Sequence, residues 1–359
     1  MWLGFGARAW ARLLLRNRFA IELPYYHVLA VVCVVCVVNS VLRALQEVWF
    51  GGRVRRTPIR HAPVFVLGHW RSGTTLLHEL LTLDPRHNFP NTYQCGAPDH
   101  FLLTEGSMTR LLWWLMPSHR PMDGMENGWG KPQEDEFALC MVGQPSPYLT
   151  LGFPNRPPQD EDAFDLDQMP PRARARWKRA FLRFLRQLTF RDPRRLVLKS
   201  PTHSCRIPTL LELFPDALFV LIVRDPYEVF PSTVNLWKTL YATHGLQTPH
   251  FAGLEEYVLS TFTHFHERLA EGKKLVPAGQ FHALRYEDLL RDPPGEMRRL
   301  YGELGLGDFE AVRGSVEQYF ESRAEYRTNR YDRLAPDVRA RISRRWAAAI
   351  RLYGYQFRE

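Results

Sequence analysis

Apolar positions along this chain alternate between short unbroken runs and longer stretches at helical spacing. Residues 64–67 and 217–223 are continuous apolar runs, as strands buried on both faces must be. Residues 196–199 and 281–285 are read as two further strands. A helix is expected over 74–83, stopped by Asp84-Pro85. Pro170-Pro171 opens another, running to about Phe190, in which Trp177, Phe181, Phe184, Leu185 and Leu188 recur at helical spacing. Its other face carries Arg and Lys, a stripe for solvent or for lipid headgroups. After the SPTH stretch a helix is expected to about Phe214. Asp225 and Pro226 have the chemistry of an N-cap and first helical residue. Helices over 253–271 and near 295–304, 309–320 and 337–352 complete the pattern. Strands alternating with helices predict an α/β fold, a P-loop-like doubly wound parallel sheet with flanking helices. Ligands of such sheets bind outside the C-terminal strand ends.

Two regions break the alternation. Residues 88–160 are irregular and rich in Pro, Gly and aromatics, with a short apolar helix expected near 108–116. A stretch of this length usually holds substrate loops or lids. Residues 1–58 are basic and apolar, and the main domain is expected over 59–359. Residues 28–38 are all apolar, then Asn39 and Ser40 interrupt. Eleven clean residues fall short of the roughly 18–20 that span a bilayer. Arginines flank both sides, Arg8, Arg12, Arg16 and Arg18 before and Arg43, Arg53, Arg55 and Arg56 after, so charge gives no orientation. No small-residue cleavage site follows the run, which argues against a signal peptide. The segment is read as a helix lying in or against a membrane, or packed as an N-terminal hairpin; a buried soluble helix is the alternative.

The chain has 359 residues, 45% hydrophobic, with 10 Trp, 22 Phe and 14 Tyr, enough for a substantial core. Its net charge of +9 points to an anionic ligand or a membrane surface. Nucleic acid is not expected as a partner, because the aromatics are not interleaved with basic residues and no zinc-ligand spacing occurs. Five scattered cysteines fit a reduced compartment, and Cys33 and Cys36 read as packing residues within the apolar run.

The chemistry concentrates in VFVLGHWRSGTTLLHELL, residues 64–81. Gly68 and Gly73 stand five apart and Thr74 and Thr75 follow, the spacing of a phosphate-binding loop with Thr74 in the lysine position. Arg71 is the permanent cation inside the loop. Such a loop points backbone N–H groups and a helix N-terminus at an anion. The missing lysine argues against an ordinary ATPase or GTPase. Lys199 and Arg224 end two of the expected strands, so they and the loop converge on one crevice. Arg224 with Ser232, eight residues on, can hold a phosphate, or Arg224 can simply pair with Asp225.

The segments GHWRSGTTLL, LKSPTH, FVLIVRDPYEVFPSTVNLW and LRYEDLLRDP, in that order, resemble the sulfotransferases that use 3′-phosphoadenosine-5′-phosphosulfate (PAPS). The likeness is to the bacterial-type members with an R-S-G-T-T loop and covers about residues 62–352. It implies transfer of the sulfuryl group of PAPS, without a metal, to an acceptor hydroxyl or amine. Arg71, Ser72, Gly73, Thr74 and Thr75 would hold the 5′-phosphosulfate, and Arg224 and Ser232 the 3′-phosphate. Tyr286 would lie near the adenine or support the loop. Arg327, Asn329 and Arg330, in YRTNRY, would belong to a basic loop over the nucleotide. Arg71 and Lys199 would face the sulfate and the bridging oxygen.

Acceptor activation calls for a base. Glu134, Asp135 and Glu136 are candidates, because adjacent carboxylates repel and one pKa can rise; an acidic helix start is the structural alternative. His69 and His203 are rivals at the expected strand ends, and His100 is a weaker one, with Asp99 orienting a neighbour or capping a turn. The aromatic 88–160 region and the apolar N-terminus suggest a lipid, glycolipid or hydrophobic alcohol as acceptor; a glycan is the other class. PAPS in a bacterium is cytosolic, which would put the catalytic domain on the cytoplasmic side; a eukaryotic source would make it a Golgi lumen. The alternatives to a sulfotransferase are a nucleotide-dependent kinase, with Asp225 as its metal-binding aspartate, and a non-catalytic anion-binding membrane protein.

Overall fold

The computed structural model describes residues 1–112, 128–323 and 334–358. In chain order the elements begin with α1 (Ala7–Arg16), α2 (Tyr26–Arg56), β1 (Val64–Leu67), α3 (Thr74–Thr82) and β2 (His87–Asn88). Next come α4 (Thr92–Gly96), α5 (Phe101–Leu111), α6 (Asp135–Met141), α7 (Pro171–Arg191) and β3 (Arg195–Lys199). Then follow α8 (Ile207–Leu213), β4 (Leu218–Val223), α9 (Pro226–His244), α10 (Leu254–Lys273) and β5 (Phe281–Arg285). The chain closes with α11 (Tyr286–Arg291), α12 (Pro293–Leu304), α13 (Glu310–Glu321), α14 (Pro336–Arg345) and α15 (Ala347–Leu352).

Two compact units result. One comprises Met1–His61, Asn88–Arg194 and Lys238–Ala252; the other Ala62–His87, Arg195–Trp237 and Gly253–Glu359. This division differs from the 1–58 and 59–359 parts expected above, since the N-terminal segment shares its unit with two later stretches.

The second unit holds the sheet, with strand order β2-β3-β1-β4-β5 and parallel pairing of β1 with β3 and β4, and of β4 with β5. Strand side chains alternate between its two faces. Val64, Val66, Val197, Val220 and Ile222 pack with Leu77 and Leu80 of α3 and with Met297, Leu300 and Val316 of α12 and α13. Phe65 turns to the other face, stacked on Phe219 at 5.7 Å and edge-on to His203 at 5.3 Å. The chain leaves β1 first toward β3 and later returns to β4 on the other side, so the order reverses at β1. That switch point is where an open α/β sheet leaves a crevice.

The first unit is helical. α7 buries Trp177, Phe181, Phe184, Leu185 and Leu188, the stripe expected from spacing. α2 corrects the expected length of the apolar segment. It runs unbroken for 31 residues through Asn39 and Ser40. By length and composition it is long and apolar enough to cross a membrane. The two polar residues do not interrupt it because they turn inward. Asn39 Nδ2 donates to the carbonyls of Leu3 (2.7 Å) and Phe5 (3.0 Å), and Ser40 Oγ donates to Cys36 O (2.8 Å) while accepting from Ala7 N (3.0 Å). Nor is α2 a buried helix: 17% of its most apolar window is buried.

Other expectations shift for local reasons. The helix placed near 108–116 begins at Phe101, which is fully buried, and residues 113–127 lie outside those described. The C-terminal helix breaks into α14 and α15 at Trp346. Its ring stacks on Phe262 at 3.8 Å and donates Nε1–H to Leu259 O at 3.0 Å, and its backbone leaves helical geometry there. β2 and α11, two and six residues long, had no periodicity to announce them.

Candidate active site at the strand ends

The loop after β1 is shaped by three left-handed residues. Gly68 (φ 145°), Arg71 (φ 68°) and Gly73 (φ 101°) all have positive φ. The glycines are required, since a Cβ at Gly68 would lie 2.6 Å from Ile222 O and one at Gly73 would collide with the Tyr286 ring. Arg71 has a Cβ and holds this conformation at a cost of about 1–3 kcal/mol, a strain typical of ligand clamps. The turn is locked from within by Ser72, whose Oγ and N both donate to His69 O (2.8 and 3.2 Å). Ser204 Oγ accepts the Gly68 N–H at 3.0 Å. Gly73 is the N-cap of α3 and offers no side chain to the helix's first amides. Those amides, with the positive end of the helix dipole, are an anion-binding feature.

The cations gather around this loop. Arg71 Nε donates to Ser232 Oγ at 2.9 Å, and Arg224 Nη1 to Arg71 O at 3.3 Å. The Arg224 guanidinium lies 4.7 Å from the centre of the Tyr286 ring, the ring that also backs Gly73. Lys199 is opposite Val66 in the sheet register and its Nζ reaches Thr75 Oγ1 at 3.5 Å. Lys199, Ser72, Thr74 and Ser232 are all buried. Arg71, Ser72, Gly73, Thr74, Thr75, Lys199, Arg224, Ser232 and Tyr286 thus group around the loop that follows β1. Burial raises the Tyr286 phenol above its usual range, opposed by the nearby charges of Arg224 and Arg71.

The expected bases fare differently. His69 and His203 are buried, 4% and 0% exposed, and His69 lines a small cavity with Gly68, Ser72, Ser204 and Arg224. His69 is fenced edge-on by Trp70, Phe262 and Phe265, and its Nδ1 lies 3.0 Å from Trp70 O. Burial, then repulsion from His266, pulls its pKa down to about 3. His203 packs against Phe65 on the sheet. The sequence placed both beside the loop, but could not show that α10 covers one and β1 the other. His100 bonds Thr104 Oγ1 (3.0 Å) and Asn39 Oδ1 (3.1 Å), and Asp99 pairs with Arg43 and Arg183, each at 3.5 Å, so both serve the helical unit. In that unit too, Glu134 precedes α6 and accepts the Tyr148 hydroxyl at 2.5 Å. Asp135 and Glu136 are fully buried in the first turn, where the helix dipole favours them. Tyr148 was missed because nothing links residues fourteen apart before folding. Arg327, Asn329 and Arg330 lie outside the described residues.

Asp225 is a helix cap, accepting Tyr227 N at 2.9 Å, and it pairs with Arg358. Its expected cap role holds, and its carboxylate is already engaged rather than presented as a kinase's metal ligand would be.

The buried imidazoles have a consequence for stability. His69 and His266 have folded pKa values of about 3 and about 4, both below the ordinary 6.5. Between those values the unfolded chain binds protons that the folded chain does not, so stability falls as pH drops below 6.5. Urea midpoints are expected to decline from pH 7 to pH 5, and His69→Gln to flatten that decline. An unchanged slope in the variant would show that His69 does not stay neutral in the fold.

The chain is similar to known proteins over most of its length. The sequence profile described as the sulfotransferase family matches residues 63–310. The chain is 50% identical over 355 residues to the Mycobacterium bovis omega-hydroxy-beta-dihydromenaquinone-9 sulfotransferase Stf3, covering 99% of this chain and 91% of that one. The same values hold for the Stf3 of Mycobacterium tuberculosis. Sulfotransferase STF9 from Mycobacterium avium shares the fold with a TM-score of 0.63 at 22% identity, over 88% of this chain and 82% of that one. STF1 from Mycobacterium tuberculosis does so with a TM-score of 0.58 at 20% identity, over 87% and 82%. The kinase and non-catalytic alternatives give way: the chain belongs to the sulfotransferase family and is an enzyme of sulfuryl transfer.

Proposed function

We propose that this enzyme transfers the sulfuryl group of PAPS to the hydroxyl of a long-chain lipid, of the hydroxylated menaquinone class. The observation that carries the donor is the cluster of half-buried Arg71 and Arg224 with buried Ser72, Lys199 and Ser232 around a loop of phosphate-binding shape. In this reading the loop and the α3 N-terminus take the 5′-phosphosulfate, and Arg224 and Ser232 the 3′-phosphate. The acceptor oxygen forms a bond to sulfur as the sulfur–oxygen bond to the 5′-phosphate breaks. The acceptor's proton passes to a base, and 3′,5′-adenosine bisphosphate leaves. Arg71 and Lys199 neutralise the charge that builds on the sulfuryl and bridging oxygens. The lipid acceptor is supported by the 50% identical Stf3, whose name states a menaquinone-type substrate, and by the apolar surface of α2.

The experiment is incubation with labelled PAPS and three acceptors: an ω-hydroxylated menaquinone, its non-hydroxylated form and a soluble glycan. Label is expected in the first alone. Label in the glycan alone would refute the lipid reading.

The base in this proposal is Glu134, a buried carboxylate held by the Tyr148 hydroxyl. Glu134→Gln is expected to lower turnover by about 10²–10⁴ while leaving bisphosphate affinity unchanged. Tyr148→Phe should cost less, since it orients the carboxylate without replacing it. Undiminished turnover in Glu134→Gln would pass the role to Glu136.

A further inference from the structure

The helical unit carries an exposed apolar surface along α2. Along α2 the buried positions Val32, Cys36, Asn39, Gln46 and Val54 mark one inward face. The outward face is apolar: Val34 (67% exposed), Val38, Val41, Leu45, Val48 (79%) and Trp49 (62%) form a stripe at helical spacing. The inward polar side chains are satisfied there, Gln46 Nε2 donating to Asp99 O at 2.8 Å and its Oε1 accepting Leu102 N at 2.9 Å. Large exposed apolar stripes of this kind mark interaction surfaces.

Beside the C-terminal half of α2 is a groove of about 390 Å³ shared with α7. Five arginines line it, Arg43 and Arg55 from α2 and Arg179, Arg183 and Arg186 from α7, against the single carboxylate of Glu47. Glu47 is taken by Arg55 and by Arg183 at 3.5 Å, and Asp99 serves Arg43 and Arg183. Arg179 and Arg186, seven residues apart on one face of α7, have no carboxylate partner among the described residues. Phe50, Val54 and Leu182 also line it. Five arginines with apolar Phe50, Val54 and Leu182 among them, on the same helix as the exposed stripe, match the two parts of an anionic phospholipid: headgroup phosphate and acyl chain.

We propose that the α2–α7 groove is a binding site for anionic phospholipid headgroups, which seats the enzyme on the membrane with the α2 stripe in the acyl boundary. This inference concerns lipid binding without donor, so its outcome is independent of the sulfuryl-transfer reading.

The test is co-sedimentation of the full chain with vesicles of phosphatidylcholine alone or mixed with phosphatidylglycerol. Binding is expected to rise with phosphatidylglycerol and to fall with salt. Arg179→Glu with Arg186→Glu should remove that increment, by about tenfold or more, while Arg179→Lys with Arg186→Lys should keep it. Val41→Asp should weaken binding to both vesicles. Thermal unfolding of each variant establishes that it is folded, and the Lys pair against the Glu pair keeps the comparison within one site. Equal binding to neutral and anionic vesicles would overturn the proposal. So would displacement by millimolar inorganic phosphate, which would mark a soluble-anion site. A lipid-free dimer that Val41→Asp makes monomeric, with vesicle binding unchanged, would assign the stripe to a second copy instead.

Discussion

Replacing Arg71 by alanine is expected to lower turnover by about 10²–10³ and to weaken PAPS more than its desulfated product. The size is that of removing one charged donor from a developing oxyanion. The selectivity follows from the end of the nucleotide it serves, because only PAPS carries the sulfate. Arg224→Ala is expected to weaken PAPS and the bisphosphate alike, by about 10- to 150-fold, the loss of a charge-assisted hydrogen bond or two. The two residues are not independent: Arg71 bonds Ser232 at 2.9 Å, and Arg224 bonds the Arg71 carbonyl at 3.3 Å. Arg71→Ala therefore also releases Ser232, and a double-mutant cycle between them should show a coupling of about 0.5–3 kcal/mol. Calorimetric titration of each variant with the bisphosphate and with a non-transferable PAPS analogue checks the assignment. Indistinguishable effects of Arg71→Ala and Arg224→Ala on the two ligands would undo it.

Gly73→Ala is expected to be the most damaging small substitution in the loop. Two costs add. A side chain at φ 101° is strained, and its Cβ enters the volume of the Tyr286 ring. Together they are worth about 2–5 kcal/mol, from the strain of a positive φ and from overpacking. The ring cannot simply withdraw, because the Arg224 guanidinium lies over it. The variant should unfold at lower temperature and lose bisphosphate affinity. Pairing it with Tyr286→Ala separates the causes: if the ring is the obstacle, the combined loss is smaller than the sum. Full additivity would mean that backbone strain alone is responsible.

The loop was readable in the sequence because its chemistry is local. Gly68, Arg71, Gly73 and the threonines occupy eight consecutive positions, and their spacing dictates the turn. Lys199 and Arg224 were readable because strand ends are marked where an apolar run stops. The strands themselves were legible, since burial on both faces leaves an unbroken apolar signature at β1 and β4. What was not legible depends on partners far apart in the chain. Ser204 closes the loop from 136 residues away, and Tyr148 reaches Glu134 only once α6 and the following turn are formed. His69 and His203 looked available beside the loop, but α10 and Phe65 bury them. The length of α2 was underestimated because Asn39 and Ser40 read as polar interruptions, whereas they are inward hydrogen-bonding residues of one helix. The grouping of the N-terminal segment with residues 88–194 also has no local signal.

The central claim is that the strand-end cradle holds a nucleotide with separate 3′ and 5′ anionic groups. The measurement that tests it most directly is calorimetric binding of 3′,5′-adenosine bisphosphate without metal, against ATP with magnesium. Tight binding of the bisphosphate and weak binding of ATP is the predicted result. Metal-dependent ATP binding with no affinity for the bisphosphate would contradict it and void the roles given to Arg224 and Ser232.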